Sequence, residues 1–345
     1  MAGNTTRNFP ILSSSCGVPA SAQAYSLNIT VVPNQPLIYV KAWPTGQPVP
    51  SAATVVSSSD GRVKSNAALI QAGANGSISL YANNTHIVVD INGYFTTDSS
   101  QAYFYPMFPC RLADTRNSAG PLGGPYLAGG LTRTFPVSSA CSLPAHATAY
   151  VLNVTALPHG SLSYLNVWTA GQTQPGTSTL NAPTGTVVAN TAIVAPNASG
   201  QVAVYAANDT DLVLDVVGWF NPGAGGQAFH TVAPCRAFDT RTVGTGAPFS
   251  GTMAVNIAGS GCGVPANAGA YALNAAVIPS GTLTYLQLWA DGVSPPTPAV
   301  LNAVDGATTS NLSLTQNQNG SVDAYATNPT QLILDVFGYF APVIY

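Results

Sequence analysis

Two short patterns hold most of the residues in this chain with chemistry to offer. Pro-Cys-Arg-x-x-Asp-Thr-Arg occurs at 109–116 as PCRLADTR and at 234–241 as PCRAFDTR. Each copy follows an apolar run that carries one aspartate and ends in Gly-aromatic-Phe: IVVDINGYF at 87–95 and LVLDVVGWF at 212–220. The same run returns near the end of the chain as LILDVFGYF at 332–340, with no second pattern after it.

Four of the seven arginines lie in the two Pro-Cys-Arg copies, as Arg111, Arg116, Arg236 and Arg241. In so charge-poor a chain they are expected to pair locally, with Asp114 and Asp239 accepting hydrogen bonds from neighbouring arginines or turn amides as an internal clamp. The functional alternative is an anion or carboxylate site built from the arginine pair. Asp90, Asp215 and Asp335 sit within the apolar runs, where an unpaired carboxylate is costly, so each calls for a nearby arginine or a set of backbone amides.

These residues do not assemble into a recognisable catalytic set. Three equivalent aspartates, one per repeat, do not make the acid and base pair of a glycosidase. His86, His146, His159 and His230 fall at no equivalent positions, and there is no G-x-S-x-G, P-loop or H-E-x-x-H. The expectation is a protein without enzymatic activity, cofactor or metal.

Five cysteines, Cys16, Cys110, Cys141, Cys235 and Cys262, share one register and read as a disulfide framework in an oxidising compartment. Pairing Cys110 with Cys141 and Cys235 with Cys262 gives the shorter loops and leaves Cys16 single. Pairing Cys16 with Cys110 and Cys141 with Cys235 leaves Cys262 single. The shorter loops favour the first pairing, with Cys16 unpaired, although geometry rather than spacing decides.

The elements that must hold these residues follow from composition. Only 6% of the 345 residues are charged, against roughly 25% in ordinary soluble domains. There is no Glu, and Lys41 and Lys64 are the only lysines, so little is available to solvate helices. Thr, Val, Ser, Asn, Gly and Tyr favour strands and turns instead. A thinly spread net charge of −3 gives no basic stripe for nucleic acid or anionic lipid. No apolar run reaches the roughly 18 residues of a membrane span.

Three repeats align in register, at 1–98, 99–225 and 226–345. AYSLNITVVP (24–33) matches AYVLNVTALP (149–158) and AYALNAAVIP (270–279). GSISLYA, GQVAVYA and GSVDAYA alternate with period two, as half-buried strands do. LVLDVVGWF is apolar on both faces and predicts a central strand covered on both sides. The expected fold is all-β, with essentially no helix: three tandem antiparallel β-sandwich-like domains of seven to nine short strands each, linked at TTDSSQ (96–101) and NPGAGGQ (221–227).

Two further sets recur. Trp43, Trp168 and Trp289 each follow a tyrosine by four residues on a predicted strand, which places the pair on one face. They are either core or candidate platforms for stacking on sugar rings. Asn28, Asn153 and Asn274 recur inside strands, where a buried asparagine bonding a loop backbone accounts for them.

The first repeat begins at Thr6-Arg7-Asn8-Phe9-Pro10, matching Thr132–Pro136, and so lacks the roughly 30 residues that bring Pro-Cys-Arg to the others. The chain start has no signal-peptide pattern, implying a removed signal or an assembly that needs none, as in virions. The tail Val343, Ile344, Tyr345 is a candidate assembly strand. The expected role is extracellular and structural, with copies joining head to tail into a filament or surface layer. The alternative is a module binding surface or cell-wall glycans on a cell or virion.

LVLDVVGWF with PCRAFDTR, and IVVDINGYF with PCRLADTR, resemble a repeat of secreted and surface-exposed bacterial proteins, V-x-D-V-x-G-Y-F followed by P-C-R-x-x-D-T-R. LILDVFGYF matches its first half only. The resemblance spans nearly the whole chain and implies export and tandem β-domains. It brings no catalytic residues, because no activity is established for the family.

Overall fold

The computed structural model describes residues 1–97, 102–144, 146–223 and 225–342. The fold is all-β. Its described helical content is four three-residue 3₁₀ turns, and none is long and apolar enough to cross a membrane.

Each repeat folds two sheets over one core. In the second repeat, the strands Leu180–Ala182, Leu162–Thr169, Val202–Ala206 and Leu131–Phe135 form one sheet. Val188–Val194, Ala149–Pro158, Thr210–Asn221 and Tyr103–Asp114 form the other, which is here called the inner sheet. Period-two alternation supplies the core face: Val202, Val204 and Ala206 are fully buried against Tyr150, Leu152, Val154, Leu212 and Leu214. The third repeat has the same arrangement, except that Ser321–Pro342 runs unbroken from one sheet into the other. The first repeat pairs Thr5–Pro10, Ser77–Ala82, Tyr39–Pro44 and Val55–Val56 in one sheet. Its inner sheet has three strands, Lys64–Gln71, Ala24–Pro33 and Thr85–Phe95.

The inner sheets are buried on their second face as well, which is why Ser26, Asn28 and Thr30 are buried although they point away from Tyr25, Leu27 and Ile29. That face meets the other repeats. Asn28 Nδ2 donates to the Ser178 carbonyl of repeat two at 2.6 Å, Asn153 to Ala299 of repeat three at 2.7 Å, and Asn274 to Ala53 of repeat one at 2.7 Å. The direction is cyclic, so the three repeats close on one another around a pseudo-threefold axis.

A second set of asparagines completes the ring. Asn190, Asn311 and Asn66 donate to Oδ1 of Asn28, Asn153 and Asn274 at 2.9, 2.8 and 2.7 Å. Their own Oδ1 atoms accept the backbone N–H of Ala67, Thr191 and Leu312, again across repeat boundaries. A buried amide with both ends satisfied holds its neighbours in one register. An apolar cluster drawn from all three repeats includes Leu69, Val151, Ala272, Leu314, Phe104, Phe220 and Phe340.

Of the two expected linkers, residues 98–101 and 224 lie outside the described residues. The expected assembly strand Val343, Ile344, Tyr345 lies outside them too.

Candidate functional site

The Pro-Cys-Arg strand of repeat two, Tyr103–Asp114, lies beside the closing strand Thr210–Asn221 and sets Arg111 opposite Asp215 and Cys110 opposite Val216. Repeat three repeats the register, with Arg236 opposite Asp335 and Cys235 opposite Val336. Closing strands in these repeats are therefore central, between the Pro-Cys-Arg strand on one side and Ala149–Pro158 or Ala270–Pro279 on the other.

Two clamps result. Arg111 Nε donates to Asp215 Oδ1, its Nη2 reaches Asp215 Oδ2 at 3.5 Å, and its Nη1 reaches Asp114 Oδ2 at 3.3 Å. Asp114 also accepts Arg116 through the backbone N–H at 3.2 Å, Nε at 2.8 Å and Nη2 at 2.5 Å. Arg236, Asp335, Asp239 and Arg241 repeat the pattern, and Asp335 Oδ2 additionally accepts the Ala53 N–H at 2.9 Å. Both arginines of each motif face the same aspartate, so the clamp turns inward and leaves no free guanidinium fork for an anion.

Burial pushes the Asp215 carboxyl up to about 6, against the hydrogen bonds and charge of Arg111, and moves Asp335 in the same direction. Asp114 is held low by the Arg116 hydrogen bonds. Burial works upward on Asp239, but its bonds to Arg241 outweigh that and hold it low as well.

Disulfides tie each Pro-Cys-Arg strand to the turn after the next strand. Cys110 is joined to Cys141 and Cys235 to Cys262, with Cα–Cα distances of 6.0 and 5.7 Å, and Cys16 is free and exposed.

The first repeat has the closing strand and the turn cysteine but no described strand between them. Thr85–Phe95 pairs with Ala24–Pro33 on one edge, and no described strand pairs with the other. The central position expected of LVLDVVGWF is met in Thr210–Asn221, whereas the equivalent run of repeat one has no described neighbour of the Pro-Cys-Arg type. Val88 is 47% exposed, whereas its counterparts Val213 and Ile333 are 4% and 5% exposed.

Asp90 accepts the Ser178 N–H and faces no guanidinium among the described residues; burial raises its pKa. Phe104 and Phe229 lie over Gly218 and Gly338, but a Cβ on Gly93 would meet nothing described within 4 Å. A groove of about 400 Å³ opens there between Phe95 and Phe220. A second, of about 350 Å³, lies along Val88 and Asp90.

The tryptophans are not sugar platforms. Trp43, Trp168 and Trp289 are 3%, 8% and 2% exposed, and each Nε1 donates to a carbonyl in its own following loop, of Gln47, Gln172 or Val293. The glycan-stacking expectation is corrected on that ground. No group of three or more His, Cys, Asp or Glu side chains able to hold a metal occurs among the described residues.

Sequence reading missed the partner asparagines Asn66, Asn190 and Asn311. The signal was present, since each falls in the aligned segments SNAALIQA, ANTAIVAP and SNLSLTQN. The groove at Gly93 was also missed, because an open space leaves no mark on the residue that borders it.

No family model matches the chain, and no curated protein does. Among solved structures it is similar to the major capsid protein P2 from bacteriophage PM2, at 10% identity and a TM-score of 0.19, over 69% of this chain and all of that one.

Proposed function

We propose that this chain is a non-enzymatic extracellular structural protein whose copies associate head to tail into a filament or surface layer. One observation carries the reading: no described strand pairs with the outer edge of Thr85–Phe95, while the equivalent edges in repeats two and three are covered. An exposed apolar strand edge is a template for pairing with another chain. Contact between two different surfaces of identical subunits need not close, and when it does not it produces a fibre.

Two disulfides and a surface poor in charge support a life outside the cell. The inward-turned clamps and buried tryptophans support a structural rather than a binding or catalytic role. Surface-glycan recognition has lost the side chains that suggested it.

Electron microscopy and sedimentation of the purified protein test the reading. Polymers are expected, and Val88→Lys, which places a charge on the open edge, is expected to reduce them to single subunits. Dispersed monomers from the unaltered chain at every concentration tried would overturn it.

A further inference from the structure

We propose that the open edge of repeat one is a receiving site for a separate polypeptide strand of the Pro-Cys-Arg type, which pairs with Thr85–Phe95, sets its arginine on Asp90 and becomes covalently locked to Cys16. This deepens the structural reading by naming the chemistry of the partner, and it rests on that reading only for the protein's structural role: both Pro-Cys-Arg strands of a copy are already paired and disulfide-bonded within it, so the incoming strand belongs to a partner other than a folded second copy.

Four features of repeat one converge on the same missing neighbour. No described strand pairs with the edge. Asp90 occupies the position at which Asp215 and Asp335 hold Arg111 and Arg236. Cys16 occupies the position at which Cys141 and Cys262 are bonded to the strand cysteine. Gly93 is open where Gly218 and Gly338 are roofed by phenylalanine.

The chain itself shows what fits. In repeats two and three the same four positions are filled together by one strand, Tyr103–Asp114 or Gln227–Asp239, in one register. Phe104 lies against Phe220 and Phe340 at centroid distances of 5.2 and 4.5 Å, and Phe229 lies against Phe340 and Phe95 at 5.0 and 4.6 Å. A third phenylalanine following the same rule belongs against both Phe95 and Phe220, whose rings meet edge to face at 5.9 Å and line the larger groove. The incoming strand therefore carries its phenylalanine six residues before its cysteine, as both internal strands do, and its arginine directly after it. An arginine over Asp90 supplies the charge that the carboxylate now lacks.

The covalent step is thiol–disulfide exchange. The Cys16 thiolate attacks the strand cysteine's sulfur where that sulfur is held in a disulfide with a small thiol. A new S–S bond forms as the old one breaks, and the small thiol leaves as thiolate and takes a proton from water. No net oxidation occurs.

The probe is a synthetic peptide of residues 102–117 with its cysteine held as the mixed disulfide with glutathione, added to the whole protein. The expected result is a one-to-one adduct, mapped by mass spectrometry to Cys16, forming at least tenfold faster than with a scrambled peptide bearing the same mixed disulfide. A serine version of the peptide should bind without a covalent bond, and Asp90→Asn and Gly93→Ala should each weaken that binding about tenfold or more. Equal rates for the native and scrambled peptides, or serine-peptide binding indifferent to both substitutions, would overturn the proposal.

Polymer formation is followed in parallel to separate the two readings. Specific peptide capture by a protein that stays monomeric supports the receiving site and removes head-to-tail assembly. Polymers that form equally with Cys16→Ser and ignore the peptide remove the receiving site and leave assembly standing.

Discussion

Asn66 donates its side-chain amide to Oδ1 of Asn274 at 2.7 Å, one of the buried bonds that join the first repeat to the third. It closes a ring that the order of the chain does not require. Both side chains are buried, and Asn274 in turn donates to the Ala53 carbonyl. Asn274→Ala removes an acceptor from one buried amide and a donor from one buried carbonyl, at a cost of about 2 kcal/mol or more. Urea denaturation is expected to show the loss, with comparable losses for Asn28→Ala and Asn153→Ala at the other two boundaries. A loss confined to one of the three would contradict a symmetric closure.

Removing the cysteines one pair at a time should separate framework from free thiol. The bridged cysteines are 31 and 27 residues apart. Loops of that size give a stabilisation of about 3.5 kcal/mol each by constraining the unfolded chain. The double variants Cys110→Ser/Cys141→Ser and Cys235→Ser/Cys262→Ser are each expected to melt at a clearly lower temperature. Cys16→Ser, at an exposed and unpaired position, should leave the isolated chain unchanged within about 0.5 kcal/mol. Scanning calorimetry of the three proteins checks both halves.

How much of this was legible from residues alone depends on what left a trace in the sequence. The all-β fold followed from the absence of Glu, the scarcity of Lys and the period-two runs, because strand formation is written locally in side-chain type and alternation. The inward turn of Arg111, Asp114 and Arg116 was readable because the three lie within six residues. The pairing of Asn28 with Asn190 was not, since they are separated by 162 positions and nothing local to either names the other. The tryptophans were ambiguous for a related reason. Alternation gives the face a side chain takes, but not the loop that later folds over it, and the loops bonding Trp168 and Trp289 decided the outcome.

Stability should rise as the solution is made mildly acidic. Asp215 has its pKa pushed up to about 6 by burial despite Arg111, and Asp335 is displaced the same way. Between the ordinary carboxylate value and about 6 the folded chain holds protons that the unfolded chain has released, so folding is favoured as pH falls through that window. Asp114 and Asp239 have the opposite sign. Their lowered pKa values give stability that is present above the ordinary carboxylate value and lost as pH falls through the lowered one. Melting temperature against pH should therefore pass through a maximum in the mildly acidic range. Asp215→Asn is expected to flatten the limb above that maximum while leaving the acid limb in place.

Truncating a tryptophan should cost stability before it changes anything else. Trp168 packs against Ala170 and Ala203, with Tyr205 beside them, and donates to the Gln172 carbonyl at 2.9 Å. Trp168→Ala leaves a cavity and a loop carbonyl without its donor, an expected loss of about 3 kcal/mol or more. Chemical denaturation measures that loss. A variant that kept full stability but lost adhesion to a glycan surface would revive the sugar-binding role that burial argues against.

The glycines of the closing strands give the sharpest contrast between the complete repeats and the open one. A Cβ built on Gly218 lies 2.4 Å from the Phe104 ring and 2.7 Å from the Tyr105 carbonyl oxygen, and one on Gly338 meets Phe229 at 2.5 Å and the His230 carbonyl oxygen at 2.7 Å. Neither backbone oxygen can turn aside, so Gly218→Ala and Gly338→Ala each force the Pro-Cys-Arg strand away from its partner. A cost of about 2 kcal/mol follows from such overpacking. Gly93, at the same place in repeat one, has nothing described within 4 Å of the added atom, so Gly93→Ala should be silent in the isolated chain, within about 0.5 kcal/mol. Thermal denaturation of the three single variants decides the matter. Equal destabilisation in all three would mean that the edge of repeat one is already covered in solution, because a methyl group can be costly there only if something occupies the groove between Phe95 and Phe220.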